Sequence, residues 1–277
     1  KACRNHLNPI VYACCIGFAL VASLVSCRQG GSSGVQSPEQ QTEVLQAAPV
    51  SLDLEAIQER GTLRAIIDNS TTGYFIYKGQ SMGFEYELLN RFAKELGVEL
   101  ELVLTSSIEE AFDKLNNGEG DICAYNLTIT KERTAQYAFS STLMQVRQVL
   151  VQRKPENWPK LHPKTIDRKV IRNPIDLIGK EVYVRHNSSH KERLENLSHE
   201  LGGDIIIVES FKNQETEALI RKVAEGEIDY AIADENVALV NATYYPLLDV
   251  KTPVSFAQRI AWAMRSNSPA LLEECNQ

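Results

Sequence analysis

The chain has 277 residues, 36 acidic against 29 basic side chains, a formal charge of −7 and 43% hydrophobic residues. An acidic balance without a basic stripe argues against nucleic acid as a partner, because neutralising phosphates needs clustered Lys and Arg. The six cysteines do not form a disulfide framework: Cys3, Cys14, Cys15 and Cys27 crowd the N-terminus, and Cys123 and Cys275 read as small apolar fillers.

Lys1, Arg4 and His6 precede an apolar run over residues 10–25 that closes on Leu24-Val25-Ser26-Cys27. A positive start, an apolar stretch and small residues before a break read as a secretory leader, set apart from the fold. The ending in Cys resembles a bacterial lipobox, which implies a lipoprotein signal over residues 1–27 with the lipid on Cys27; the alternative is an uncleaved anchor. Either way, the rest is expected outside the cytoplasm, in the periplasm, held at the inner or the outer membrane. Residues 28–50 are rich in Gly, Ser, Gln and Pro, a composition that predicts a flexible tether.

Residues 54–60 predict a short helix stopped by Gly61, and residues 63–67 an apolar strand ending at Asp68 before a polar loop. Leu88, Leu89, Phe92, Ala93 and Leu96 recur at helical spacing up to Gly97. Residues 98–104 alternate as a strand, and Ser107 caps a helix through Leu115 with Glu110 at the capping-box position. A strand over 121–125 follows. The same grammar returns with a strand over 180–184, a helix opened by Asn187-Ser188-Ser189 and running to Leu201, a strand over 205–208 and a helix over 214–225. Strands alternating with helices of this length predict βαβ units and a mostly parallel sheet. Ser268-Pro269 opens a last helix, with Ser at its cap. The chain stops soon afterwards, and a longer natural protein is expected.

Two segments repeat. Gly118-Glu119-Gly120-Asp121 and Gly226-Glu227-Ile228-Asp229 each end a helix and enter an apolar strand that finishes on a polar residue, Asn126 in one half and Asp234 in the other. Two α/β halves with facing strand ends make a cleft, the usual ligand position of open parallel sheets. Residues 145–152 and 254–264 read as extended crossings between the halves, a hinge. One lobe is expected over 51–143 and 257–277, the other over 144–256.

Residues 120–133 carry the strongest functional signal: a buried strand, a hydroxyl-rich turn and then Arg133. Free N–H groups, the Thr128 hydroxyl and a guanidinium fork suit a carboxylate, and the stretch holds neither a nucleophile nor an acid–base pair. Arg133 with Ser188 and Ser189 supplies donors, and Asp234 supplies an acceptor, as a zwitterion requires. Each charge-assisted bond is worth about 1.5–3 kcal/mol. The residues also admit plainer roles: Arg133 in a surface ion pair, Asp234 or Asn187-Ser188-Ser189 as helix caps, Asp68 closing a turn with Asn69, and Tyr74, Phe75 and Tyr77 as core or cleft wall. His162, His186, His190 and His199 lack metal-ligand spacing, and nothing in the sequence asks for a metal or a cofactor. The charges over 164–172 cover a solvated loop or meet anionic cell wall.

Met82-Gly83-Phe84-Glu85-Tyr86-Glu87-Leu88, residues 120–133 with Thr128-Ile129-Thr130-Lys131-Glu132-Arg133, and Phe139-Ser140 resemble the family 3 extracellular solute-binding proteins, the polar amino-acid binders of bacterial importers. The resemblance implies a two-lobed, type II periplasmic-binding-protein-like α/β fold with two hinge crossings. It implies that Arg133 holds an α-carboxylate with Thr128 and the Asn187-Ser188-Ser189 turn, that Asp234 receives an α-ammonium, and that Asn126 and Asp68 line the site, with Tyr74 beside it. Asn126 stands where the family has a glycine, the second-lobe turn also lacks its glycine, and Ser107 stands where an aromatic is usual.

Residues 153–158, 228–234 and 258–265 further resemble the N-terminal module of the membrane-bound lytic murein transglycosylase F family, in which a solute-binding-like module precedes a glycan-cleaving domain. That resemblance implies a regulatory module with an amino acid or cell-wall peptide as guest, peptidoglycan as a further partner, and any catalysis in residues beyond Gln277. The alternative is a free-standing amino-acid-binding lipoprotein of an importer.

Overall fold

The computed structural model describes residues 49–277. The expected leader, its Cys27 and nearly all of the expected tether lie outside the described residues. No helix among the described residues is long and apolar enough to cross a membrane.

The first sheet has the order β4 (Glu99–Leu104), β1 (Thr62–Ile67), β5 (Ile122–Thr128), β13 (Gln258–Arg265) and β6 (Tyr137–Phe139), with β7 (Met144–Val146) also on β13. Strands β1, β4 and β5 are parallel; β13 runs against them. Alternation along the strands serves both faces. Leu63, Ala65, Ile67, Ile122 and Ala124 meet α1 (Leu54–Arg60), α2 (Phe84–Glu95) and α9 (Pro269–Cys275) through Ile57, Leu89, Phe92 and Leu271. Ile66, Cys123, Tyr125 and Leu127 face the other way, onto Ile108, Ala111 and Leu115 of α3 (Ile108–Asn116). A hairpin, β2 (Phe75–Tyr77) and β3 (Gln80–Met82), sits between β1 and α2.

The second sheet has the order β10 (Ile206–Glu209), β9 (Glu181–Val184), β11 (Tyr230–Asp234), β8 (Gln148–Arg153) and β12 (Leu248–Pro253). Val149, Val151, Ala231 and Ala233 pack on α7 (Thr216–Glu225) and α8 (Glu235–Tyr244), while Leu150, Val182, Val184 and Ile232 pack with Leu194 and Leu197 of α6 (Ser189–Leu201). The chain passes from β7 to β8 at Arg147, a little beyond the expected boundary at 144, and returns between β12 and β13.

The repeated Gly-Glu-x-Asp segments serve the same purpose in both halves. Asp121 is buried and pairs with Arg60 and the Arg64 N–H. Arg265, also fully buried, lies 3.5 Å from Asp121 and donates to the carbonyls of Leu115 and Gly120, closing the C-terminus of α3. In the second half Arg153 pairs with Asp229 at 2.5 Å and donates to Val223 and Ile228, closing α7. Each crossing strand thus delivers one arginine that satisfies orphan helix carbonyls beside an acid at the strand start.

Two expected caps differ. Ser107 accepts from the Glu110 N–H at 3.3 Å, but the Glu110 carboxylate takes the Thr105 hydroxyl at 2.6 Å, so the capping box is half formed. Ser268 is buried and donates to the Leu52 carbonyl at 2.7 Å, and Asp53 caps α9 instead, accepting from Ala270 and Leu271.

Candidate functional site between the two lobes

Strand ends from both sheets meet at the cleft: Asp68 after β1, residues 125–128 of β5, Arg185 after β9 and Asp234 at the end of β11. Asn126 has φ 51° where the pairing of β5 with β13 slips its register. Asn187, in the turn that leads into α6, has φ 52°. Both are left-handed positions, which Asn tolerates better than any residue except glycine. Asn126, where the resemblance led to an expectation of glycine, thus holds a backbone conformation that glycine also adopts.

The predicted binding residues touch one another across the cleft. Asn126 Nδ2 donates to Asp234 at 3.1 Å, and His190 Nε2 stands 3.3 Å from the other Asp234 oxygen. The Ser189 hydroxyl donates to Thr128 Oγ1 at 3.1 Å and accepts from Gln148 at 3.2 Å. Ser188 turns back to the Arg185 carbonyl at 2.6 Å, and the Asn187 N–H reaches Glu209 at 3.4 Å. The lobes are closed upon each other.

At the inner end lies a charged group. Arg185 Nη2 donates to the Tyr125 hydroxyl at 3.0 Å and to the Ser106 carbonyl at 3.4 Å, and its guanidinium lies 4.9 Å above the Tyr125 ring. Glu215 Oε2 is 2.6 Å from Nη2 as an ion contact, off the line of the N–H bonds, and Asp68 is 3.9 Å from Nη1. Glu217 accepts from both the N–H and the hydroxyl of Thr71 at 3.1 Å. Burial raises the Asp68 carboxyl to about 6 against the pull of Arg185, and Glu217 adds to the rise. Burial likewise raises Glu215 to about 7, opposed by Arg185.

The outer end opens into a cavity of about 560 Å³ lined by α3, the turn at Thr130, Arg133 and residues 186–195. Arg133 is half-buried on the short helix α4 (Lys131–Thr134), its fold held by one bond to the Thr128 carbonyl at 3.1 Å and by the Phe112 ring at 5.9 Å. Burial pulls its pKa down from the ordinary guanidinium value, and among the described residues no carboxylate forms an ion pair with it. Acids dominate the walls: Glu109, Asp113, Glu132, Glu192, Glu195 and Glu209 face Arg133, Lys191 and His186. Such a site can fix a carboxylate at one point and attract cationic groups around it. No group of three metal-ligating side chains occurs among the described residues.

Asn126, Thr128, Arg133, Asn187, Ser188, Ser189 and Asp234 thus lie at the cleft, and Asp68 lies at its inner end. Tyr74 does not join them. Its ring packs edge-on against Tyr86 at 5.5 Å, and its hydroxyl meets Ser81 at 3.2 Å, because the hairpin folds it onto the core beside α2. Sequence reasoning missed Arg185, Tyr125, Glu215, Glu217 and His190. The one available signal was a charge placed directly after the apolar strand Val182-Tyr183-Val184, as Asp68 follows β1.

Residues 63–277 match the bacterial extracellular solute-binding proteins, family 3. Membrane-bound lytic murein transglycosylase F of Desulfosudis oleivorans is 36% identical over 221 residues, which are 80% of this chain and 45% of that protein. The chain spans less than half the length of the curated relatives that it matches. Among solved structures, an ancestral amino acid-binding protein, a precursor of cyclohexadienyl dehydratase, aligns with a TM-score of 0.65 at 29% identity, covering 80% of this chain and 90% of that one. Holo ArgBP from T. maritima has the same fold, with a TM-score of 0.65 at 24% identity over 80% of this chain and 90% of that one. The chain belongs to the bacterial extracellular solute-binding proteins, family 3, and carries their type II, two-lobed fold.

Proposed function

We propose that the cleft binds a small amino-acid-like or peptide ligand as the extracytoplasmic sensing module of a lipid-anchored lytic murein transglycosylase. The observation that carries this reading is Arg133, a half-buried guanidinium in the cavity wall with Ser188 and Ser189, which forms no ion pair with a carboxylate among the described residues. The ligand carboxylate takes Arg133 and the start of α6, and its ammonium takes Asp234 in exchange for Asn126. The acidic wall leaves room for a further cationic group on the guest. Catalysis belongs to another part of such a protein, and Cys27 carries the lipid.

Calorimetry with a panel of amino acids and cell-wall peptide fragments tests the site. Arg133→Ala is expected to weaken a genuine ligand about tenfold to a hundredfold, the loss of one charge-assisted contact of about 1.5–3 kcal/mol. Equal binding by wild type and variant removes Arg133 from the site. Labelling with a fatty-acid analogue, lost in Cys27→Ala, tests the anchor.

The competing reading is an amino-acid-binding lipoprotein of an importer. It is favoured by the likeness to a solved ancestral amino acid-binding protein, at 29% identity and a TM-score of 0.65. The coding sequence after Gln277 separates the two: a glycan-cleaving domain supports the first, a stop codon the second.

A further inference from the structure

The charged group at the inner end of the cleft plays no part in the proposed contacts to the guest, yet it spans both lobes. Arg185 comes from the second lobe and is 7% exposed. Its partners Tyr125, Ser106 and Asp68 come from the first lobe, and Glu215 from its own. Beside it, Glu217 of α7 ties the Thr71 N–H and hydroxyl of the opposite lobe. One guanidinium therefore meets two carboxylates, Asp68 and Glu215, with Glu217 adding its charge beside them, and this surplus of negative charge is buried while the lobes are together. Buried like charges that exceed their counter-ions are costly, and a proton is the least expensive way to remove the excess.

We propose that Arg185 is a cross-lobe latch, the protein's own cation seated at the inner end of the cleft, and that the carboxylate surplus around it couples lobe closure to proton uptake, so that the cleft is held shut more tightly in acid. Glu85 of α2 interacts with the Asp68 charge, Tyr125 and Cys123 of β5 are held neutral by burial, and Arg133 is a further cation whose field reaches Arg185. His186 and Lys212 bridge to Glu109 across the lobes farther along the cleft.

The sign follows from the direction of the shifts. In the open form Asp68 and Glu215 meet water and return toward ordinary carboxylate values. Closed, they stand at about 6 and about 7. The closed form binds more protons between the ordinary carboxylate range and these raised values, so the closed-to-open ratio rises as pH falls from about 8 through 6. The expected rise is about tenfold, most of it from Glu215.

The reading concerns closure alone and does not depend on the identity of a guest. The test is amide hydrogen exchange, read by mass spectrometry on the full chain without added ligand and corrected for the intrinsic pH dependence of exchange. The reporter is the Thr71 N–H, which bonds to Glu217 across the lobes. Wild-type protection is expected to rise about tenfold between pH 8 and pH 6. Glu215→Gln, which keeps the shape and removes the charge, is expected to flatten that slope and to stay protected at pH 8. Arg185→Met is expected to lose at least tenfold protection at Thr71 at pH 7 while amides of β1 and β5 keep theirs. A pH-independent wild type overturns the proposal, and so does a Glu215→Gln variant with the wild-type slope. Arg133→Ala is expected to keep the slope, so failure of the ligand site and failure of the latch give different results.

Discussion

Asn126→Asp is the sharpest perturbation of the closed cleft. The two side chains have the same size, and Asp also tolerates the left-handed φ of 51° at this position, so the backbone term is close to zero. What changes is the group facing Asp234, now 3.1 Å from the Asn126 amide nitrogen. A donor becomes a second carboxylate. At that separation and an effective dielectric constant of about 20, two unit charges repel by about 5 kcal/mol, an upper bound. The Asp234 side chain is 13% exposed, so screening and movement reduce the term to about 2–3 kcal/mol. Opening the lobes relieves it. At pH 7.5 the Thr71 amide is expected to lose at least tenfold protection in hydrogen exchange, while β1 and β9 keep theirs. Unchanged protection at pH 7.5 refutes the argument, since it would mean that the Asn126–Asp234 contact contributes nothing to closure. Equal loss throughout β1 and β9 refutes it too, because unfolding and not opening would then be the response.

Other consequences follow from the buried charges outside the cleft. Arg265→Met leaves Asp121 and the end of α3 short of a fully buried partner, and is expected to destabilise by about 3–5 kcal/mol in thermal unfolding. Its counterpart Arg153→Met acts at a pair whose side chains are 30% and 72% exposed and is expected to cost about 1–2 kcal/mol; equal losses would contradict the assignment by burial. Glu85 is 2% exposed and accepts from the Trp262 indole, and burial raises it to about 7. Its folded pKa lies above its unfolded value, so it destabilises above pH 7 and ceases to do so as pH falls toward 4.5. Glu85→Gln is therefore expected to gain on the order of 2 kcal/mol at pH 8 and little at pH 4.5. Denaturant melts at the two pH values check this, and a gain of the same size at both refutes the titration.

The sequence exposes whatever its local pattern encodes. Gly61, Gly202 and Gly226 take left-handed C-caps where the helical periodicity stops, and the alternation of strands and helices predicts both sheets. Strands β6 and β7, of three residues each, are too short to show a period and exist only because β13 offers an edge. The turn at Lys78-Gly79, with φ of 51° and 79°, makes a tight hairpin of two three-residue strands, each too short to show a period. That hairpin removes Tyr74 from the cleft. The candidate site was legible where one segment supplies several groups, as in residues 126–133. Arg185 was not, because Tyr125 is 60 positions away in the chain and no local pattern distinguishes an inward-facing arginine from a solvated one.

The two ends of the cleft therefore have different physical tasks. At the outer end, Arg133 and the start of α6 line an open cavity, the place proposed for a guest. At the inner end, Arg185 draws Tyr125 and Asp68 of the opposite lobe toward it against the cost of the carboxylate surplus, and that balance acts on closure whatever the outer end holds. A guest can shift the open–closed equilibrium only by the difference between its affinities for the two forms. If the inner group already holds most molecules shut, a guest adds little further closure, and a sensor built this way is silent. If proton loss from the inner group opens the cleft, the same guest produces a large change. The carboxylate surplus around Arg185 thus sets how much response the outer site can produce. It follows that Glu215→Gln, by keeping the cleft shut at pH 8, should leave guest affinity there at or above the wild-type value while abolishing guest-induced protection at Thr71.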